Sequence, residues 1–284
     1  MPEMTERLKL QNNALENTLE FIEANAKWGF PTIPGDTKKG KKLIICGAGP
    51  SLNNAGPTMR WHKGDVWACN SALTYLIDRG QRVTHAIGID NSKRMYTRVW
   101  ADPPKDVRYF LASSVDPELI AHLVRNGCRR IGIWHNFTSI KGEYDLYANP
   151  ELFGPTIIAG EGLNVVNRCL DLAMFMGYSS IHIVGADCGY TEGSGFHAGT
   201  DEMPDGRVFL KARPEFGDAI GTPGVQWHST ADMMMSAVDL AKKAQKHEGR
   251  ITLQRGTLPY YLRKKDDAFM DRIIKWDRAE GSAD

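Results

Sequence analysis

The sequence predicts one α/β domain with a mostly parallel sheet and helices on both faces, and three observations carry that expectation. Seven short apolar runs recur along the 284 residues, most of them separated by helix-length segments, which is the spacing of βαβ crossovers. The first run ends in a glycine turn, Cys46-Gly47-Ala48-Gly49-Pro50-Ser51-Leu52, where a parallel sheet commonly holds phosphate at a helix start. Short polar residues stand directly after further runs, at Asn70 and Ser71, Asp90 and Asn91, His135 and Asn136, and Asp187 to Tyr190. Ligands of open parallel sheets sit beyond the carboxyl ends of the strands, so these residues share one candidate rim.

Residues 5–27 show the helical spacing of Leu8, Leu10, Leu15, Leu19, Phe21 and Ile22, and Pro31, Pro34 and Gly35 end the pattern. Residues 1–40 therefore read as an appended helix and linker. Strand Leu43–Cys46 follows, then a helix after Pro50, strand Asp65–Cys69, helix Ser71–Arg79, strand Val83–Ile89 and a short helix after Asn91. Val107–Ala112 is the next strand, Asp116–Asn126 a helix with an Asp N-cap and a Gly127 stop, and Arg130–Trp134 the fifth strand. Residues 135–160 are aromatic and irregular. A helix over Glu161–Met176, stopped by Gly177, and the strand Ser180–Gly185 make the clearest helix and strand pair of the second half. Residues 187–228 are glycine-rich without sustained periodicity and are expected as a long loop inserted at a strand's carboxyl end, able to fold over a ligand. Helix Ser229–His247 and strand Arg250–Leu253 close a catalytic domain over 41–255. Residues 256–284 read as a basic and polar tail containing Tyr260-Tyr261-Leu262-Arg263-Lys264-Lys265.

Composition narrows the function classes. The 35 lysines and arginines nearly balance the 34 aspartates and glutamates, so no global field draws the chain to nucleic acid or an anionic membrane. The five cysteines are scattered without a C-x-x-C pair, which fits a reducing compartment. No apolar run reaches the length of a membrane span and the N-terminus lacks a signal-peptide core, so the expectation is a cytoplasmic protein without membrane insertion.

The glycine turn meets neither standard nucleotide motif. Leu52 stands where the dinucleotide fingerprint needs a third glycine, and Gly-Pro-Ser replaces the Gly-Lys-Ser/Thr of the P-loop. The nucleotide-binding set is Gly47, Ala48, Gly49, Pro50, Ser51, Asn70, Ser71, Asp90 and Asn91. Asn70 and Asn91 can each donate and accept, which suits a base or ribose and equally suits a helix cap. Asp187 can orient an acceptor hydroxyl or cap a turn, and Tyr190 can donate to a leaving phosphate or simply pack. Two histidines are candidate bases: His197 in Phe196-His197-Ala198-Gly199, and His228 just before a helix starting at Ser229, with Ser229 as cap and Asp232 one turn in. No H-x-x-x-H, C-x-x-C or D-x-D is present, so no metal ligands are assigned.

Taken in order, Cys46 to Leu52, Ala68-Cys69-Asn70, Ile89-Asp90-Asn91, Met176 to Asp187 and His228-Ser229-x-x-Asp232 resemble bacterial sialyltransferases and the motility-associated flagellin glycosyltransferases, over residues 41–245. That resemblance implies a Rossmann-like domain in which Gly47, Gly49, Pro50, Ser51, Asn70 and Asn91 hold the nucleotide of a CMP-sugar-like donor. It places Asp187 and Tyr190 at the donor or acceptor sugar and His228 as base, while His197 is similar to the loop histidine of the flagellin branch. The implied reaction is inverting, metal-independent glycosyl transfer to a hydroxyl, with no cofactor beyond the nucleotide-sugar donor. The acceptor can be a glycan, a protein or a modified DNA base, and a homo-oligomer is compatible with the chain. The same superfamily includes an archaeal-type pterin pyrophosphokinase using ATP and magnesium. Its third strand is expected to end in two carboxylates, where this chain has Asp90-Asn91. That activity is the alternative, followed by a non-catalytic nucleotide-binding scaffold.

Overall fold

The computed structural model describes residues 17–136, 140–153, 163–191, 195, 197–199, 210–211 and 214–271. Seven parallel strands form the main sheet: β1 (Lys42–Cys46), β2 (Asp65–Cys69), β3 (His85–Gly88), β4 (Arg108–Ala112), β5 (Ile131–Trp134), β6 (Ser180–Val184) and β10 (Ile251–Leu253). Their spatial order is β10-β6-β1-β2-β3-β4-β5. The chain thus builds outward from β1 to β5 and then returns to the other side of β1 for β6 and β10. Connections leave β1 and β6 in opposite directions, so a crevice opens beyond their carboxyl ends. β3 and β5 are buried along their whole length, and β1 and β2 are buried in all but their first residue. That is why these runs read as continuous apolar stretches rather than alternating ones.

Helix α1 (Thr18–Ala26) docks at the far end of the sheet, where buried Asn25 donates from Nδ2 to the carbonyls of Ser113 (2.8 Å) and Val115 (2.7 Å). The part of the expected helix before residue 17 lies outside the described residues. Behind α1, the Ile33 amide donates to the Ile133 carbonyl and the Ile133 amide to the Pro31 carbonyl, so the linker covers the open edge of β5. After β1 the chain makes a short 3-10 turn (Pro50–Asn54) and then α2 (Gly56–Arg60), where one continuous helix was expected. Helix α3 (Ala72–Asp78) follows β2, and a five-residue π-helix (Met95–Val99) follows β3. Helix α4 (Pro117–Arg125) has Asp116 as its N-cap, accepting from the Glu118 amide.

The stretch after β5 is more regular than its composition suggested, with α5 (Glu143–Ala148) and α6 (Pro150–Phe153). Helix α7 (Val165–Phe175) begins at Val165 rather than Glu161, because Asn164 is extended and caps it by accepting from the Asn167 amide. The insertion over 187–228 is not simply a loop. It contributes β7 (Tyr190–Thr191), β8 (Leu210–Lys211), helix α8 (Pro214–Ile220) and β9 (Trp227–Ser229), with the strands in an antiparallel sheet of order β7-β9-β8. Helix α9 (Ala231–Lys246) therefore starts later than expected, with Thr230 and not Ser229 as its cap. The basic segment read as the start of a tail is instead helix α10 (Leu258–Leu262), whose Leu258, Pro259 and Leu262 are buried. Apolar side chains at that spacing packed into a neighbour, a pattern that the flanking charges concealed. Among the described residues, no helix is long and apolar enough to cross a membrane.

Candidate functional site

The glycine turn is welded to the end of β6. Gly47 donates to the Val184 carbonyl and Gly49 to the Gly185 carbonyl, each at 2.8 Å. A Cβ on Gly47 would lie 2.4 Å from the Gly185 oxygen, and one on Gly49 would lie 2.2 Å from Asp187 Oδ2. Gly185 itself needs its left-handed φ of 65° and comes equally close to the Gly47 carbonyl. Glycine is thus required here by backbone approach between two strands.

Asp187 sits where an anion would be expected. Its carboxylate accepts from the Ser51 amide (3.2 Å to Oδ2) and from Ser51 Oγ (2.8 Å). Burial pushes its carboxyl up from 3.8 to about 6, against the lowering effect of the Ser51 hydrogen bonds. Leu52 donates to the Gly49 carbonyl, so the amides of Gly47, Gly49, Ser51 and Leu52 are all engaged inside the fold. Among the described residues, Ala48 keeps the one amide of the turn without a partner. The open anion cradle that the sequence suggested is therefore closed by the protein's own carboxylate. Gln254, immediately after β10, locks the arrangement: its Nε2 donates to the Ser51 carbonyl (2.8 Å), and its Oε1 accepts from the Gly185 amide (2.9 Å).

Above this floor lies a cleft of about 340 Å³ at the β1/β6 crevice. Of the expected residues, Gly47, Ala48, Gly49, Asn70, Ser71, Asp90, Asp187 and His197 line it. Pro50, Ser51, Asn91, Tyr190 and His228 do not. One wall comes from the ends of β2 and β3, and the opposite wall from the N-termini of α7 and α9, through Leu163, Asn164, Val165, Val166, Asp232 and Met233. Sequence reasoning missed that second wall and Gln254. Asn164 carried a signal, an Asn immediately before the apolar start of a helix, whereas Leu163 and Met233 carried none. Among the described residues, Asn70 and Cys188 are the two non-glycine residues of the cleft with left-handed backbones, at φ 47° and 54°. Such strain clusters where geometry matters more than stability.

The two candidate bases separate. His197 has Nδ1 3.3 Å from the Ala48 carbonyl, and the next amide, Ala198, donates to that same carbonyl at 2.8 Å. A carbonyl only accepts, so Nδ1 carries the proton and Nε2 is the basic nitrogen of the neutral ring. His228 lies in β9, paired in register with Tyr190 and Lys211, and its ring stacks on Tyr190 with centroids 4.9 Å apart. Its Nε2 is buried without a hydrogen-bond partner among the described residues. The expected position of His228 at a helix start gave way because Trp227–Ser229 pairs as a strand.

Among the described residues, the lining of the cleft carries three carboxylates, Asp90, Asp187 and Asp232, and no lysine or arginine. Asp90 accepts from the Ser92 amide at 2.8 Å, and Asp232 accepts from the Thr230 hydroxyl. Among the described residues, no group of three or more His, Cys, Asp or Glu side chains is placed to hold a metal ion.

A parallel sheet with a cleft at its switch point and a glycine turn on the floor defines a Rossmann-like class of fold. Within that class the chain belongs to the 6-hydroxymethylpterin diphosphokinase MptE-like family, whose model matches residues 13–193. The structure of the MAf glycosyltransferase from Magnetospirillum magneticum AMB-1 is similar, with a TM-score of 0.55 and 16% identity, covering 90% of this chain and 42% of that one. At that identity the likeness is one of fold, and this chain spans less than half the length of that protein. No curated protein matches the chain.

Proposed function

We propose that this protein is a nucleotide-dependent transferase, with a nucleotide-activated donor in the switch-point cleft and His197 as the base that takes the proton of an acceptor hydroxyl. The placement of His197 carries the reading: among the described residues it is the one histidine lining the cleft, and its contact with the Ala48 carbonyl puts the ring proton on Nδ1, which makes Nε2 the basic nitrogen. The donor we favour is a sugar nucleotide, supported by the resemblance of the glycine turn, Asn70 and the Asp187 segment to the glycosyltransferase branch. In that reaction the acceptor oxygen attacks the anomeric carbon as its bond to phosphate breaks, and the acceptor proton goes to His197 Nε2. Positioning by the two cleft walls supplies most of the acceleration, and the base adds ~10²–10⁴-fold.

A second reading, diphosphoryl transfer from a magnesium–nucleotide complex to a hydroxymethyl group, is favoured by the acidic lining and by the family. Among the described lining residues the three carboxylates face no cation, which disfavours a bare polyphosphate. Magnesium is usually held by one or two carboxylates together with phosphate oxygens and water, and Asp90 and Asp232 are the residues that would hold it here. A calorimetric panel of CMP, CDP, UDP, GDP and ATP, each with and without magnesium, separates the readings. Magnesium-independent binding of one nucleotide, with donor turnover lost in His197→Ala, supports glycosyl transfer. Magnesium-dependent ATP binding with AMP release supports diphosphoryl transfer, and binding without turnover of any donor leaves a scaffold.

A further inference from the structure

The indole of Trp100 is built against the two strand ends that form one wall of the cleft. Its Nε1 donates to the Asn70 carbonyl at 3.0 Å, and Trp100 is 1% exposed. The same carbonyl accepts from the Leu73 amide, while the Asn70 amide donates to Ile87 on β3. The Asn70 backbone is thus held from three sides in its left-handed conformation. Its side chain has no hydrogen-bond partner among the described residues, and its Oδ1 is buried without a donor. No side-chain hydrogen bond among the described residues holds that amide, so its position follows its backbone and packing.

Trp100 also fits over β3 where the strand has no side chain. A Cβ on Gly88 would lie 2.9 Å from the indole ring, and the two residues after Gly88, Ile89 and Asp90, both line the cleft. The indole is seated by the π-helix, whose C-cap is Trp100, and by His122 of α4, whose Nε2 donates to the Trp100 carbonyl at 2.9 Å. A π-turn is a rare element that recurs beside functional sites. Here it places a buried N–H under a strained cleft residue.

We infer that Trp100 is the positioning residue for nucleotide recognition: its indole N–H holds Asn70 in the conformation that presents the Asn70 amide to the nucleotide. The inference deepens the nucleotide-cleft reading and rests on it. Trp100→Phe keeps an aromatic ring over Gly88 and removes the N–H. Nucleotide binding by calorimetry is expected to weaken about tenfold in Trp100→Phe, the scale of one lost buried hydrogen bond. Asn70→Gly accepts the left-handed backbone and removes the amide, and in that background Trp100→Phe is expected to have no further effect on binding. Wild-type affinity in Trp100→Phe, or an equal additional loss on top of Asn70→Gly, overturns the inference. Where phenylalanine does not support folding, β-(3-benzothienyl)alanine at position 100 keeps the indole shape without the N–H and is read the same way. If the wild-type protein binds no nucleotide, the cleft reading is what fails. The positioning claim is then read from Asn70 backbone carbon shifts, which leave left-handed values in Trp100→Phe if it holds and stay in place if it does not.

Discussion

Asp187→Asn is expected to make the protein more stable, and the expectation follows from one proton. Ser51 Oγ faces two acceptors, Asp187 Oδ2 at 2.8 Å and Gln254 Oε1 at 3.1 Å, with a single hydroxyl hydrogen to give. An asparagine at 187 keeps an oxygen for the Ser51 amide and brings an N–H for Ser51 Oγ, freeing the hydroxyl to donate to Gln254. The carboxyl of Asp187 is raised by burial from 3.8 to about 6, so the native state holds its proton more tightly than the unfolded state. Stability then falls as pH rises through that window, with no penalty well below 3.8 and the full penalty above about 6. The full penalty is about 3 kcal/mol, at 1.36 kcal/mol for each tenfold change in proton affinity, and at pH 4.5 it is only about 1 kcal/mol. Urea unfolding followed by circular dichroism at pH 7.5 and 4.5 reads this directly. Asp187→Asn is expected to gain up to about 3 kcal/mol at the higher pH and roughly a third of that at the lower. A variant less stable than wild type at pH 7.5, or a gap that does not shrink in acid, refutes the reasoning. A carboxylate retained at this cost belongs to the site, so the same variant is expected to lose turnover by about tenfold or more.

The other predictions concern the cleft and its floor. His197→Ala is expected to lower turnover by ~10²–10⁴-fold with nucleotide affinity retained, while His228→Ala changes it little; steady-state kinetics that reverse this order move the base to His228. Gly49→Ala forces a methyl group to 2.2 Å from Asp187 Oδ2 and 2.8 Å from the Gly185 oxygen. Its urea midpoint is expected to fall by an amount equal to about 3 kcal/mol, and a midpoint within error of wild type contradicts the welded turn. Under the diphosphoryl-transfer reading magnesium is expected to tighten ATP binding by about tenfold or more, because the described lining residues supply three carboxylates and no cation, whereas glycosyl transfer predicts a nucleotide bound equally well without it; calorimetry with and without EDTA checks it.

The strands and the rim were legible in the sequence because each rests on local information. Burial on both faces wrote Leu43–Cys46 and Ile131–Trp134 as unbroken apolar runs, and the polar residues just after them marked the rim. Asn70, Asp90 and Asp187 were found that way. What the sequence hid is long-range. Nothing near Ser51 announces that Asp187 and Gln254 will close the glycine turn, since the contacts span 136 and 203 residues. His228 was misread because Trp227 to Ser229 is too short to show a strand's alternation, and its partners in β7 and β8 are only two residues each. Trp100 gave no signal at all, for its role depends on the gap left by Gly88 on a neighbouring strand.

The central claim is that the crevice between β1 and β6 binds a nucleotide. Isothermal calorimetry of the wild-type protein and Asn70→Gly against the nucleotide panel in magnesium tests it most directly. Saturable binding of one nucleotide at a single site, weakened about tenfold in Asn70→Gly with an unchanged melting temperature, is the expected result. Binding that is indifferent to Asn70, or no binding of any nucleotide, contradicts it.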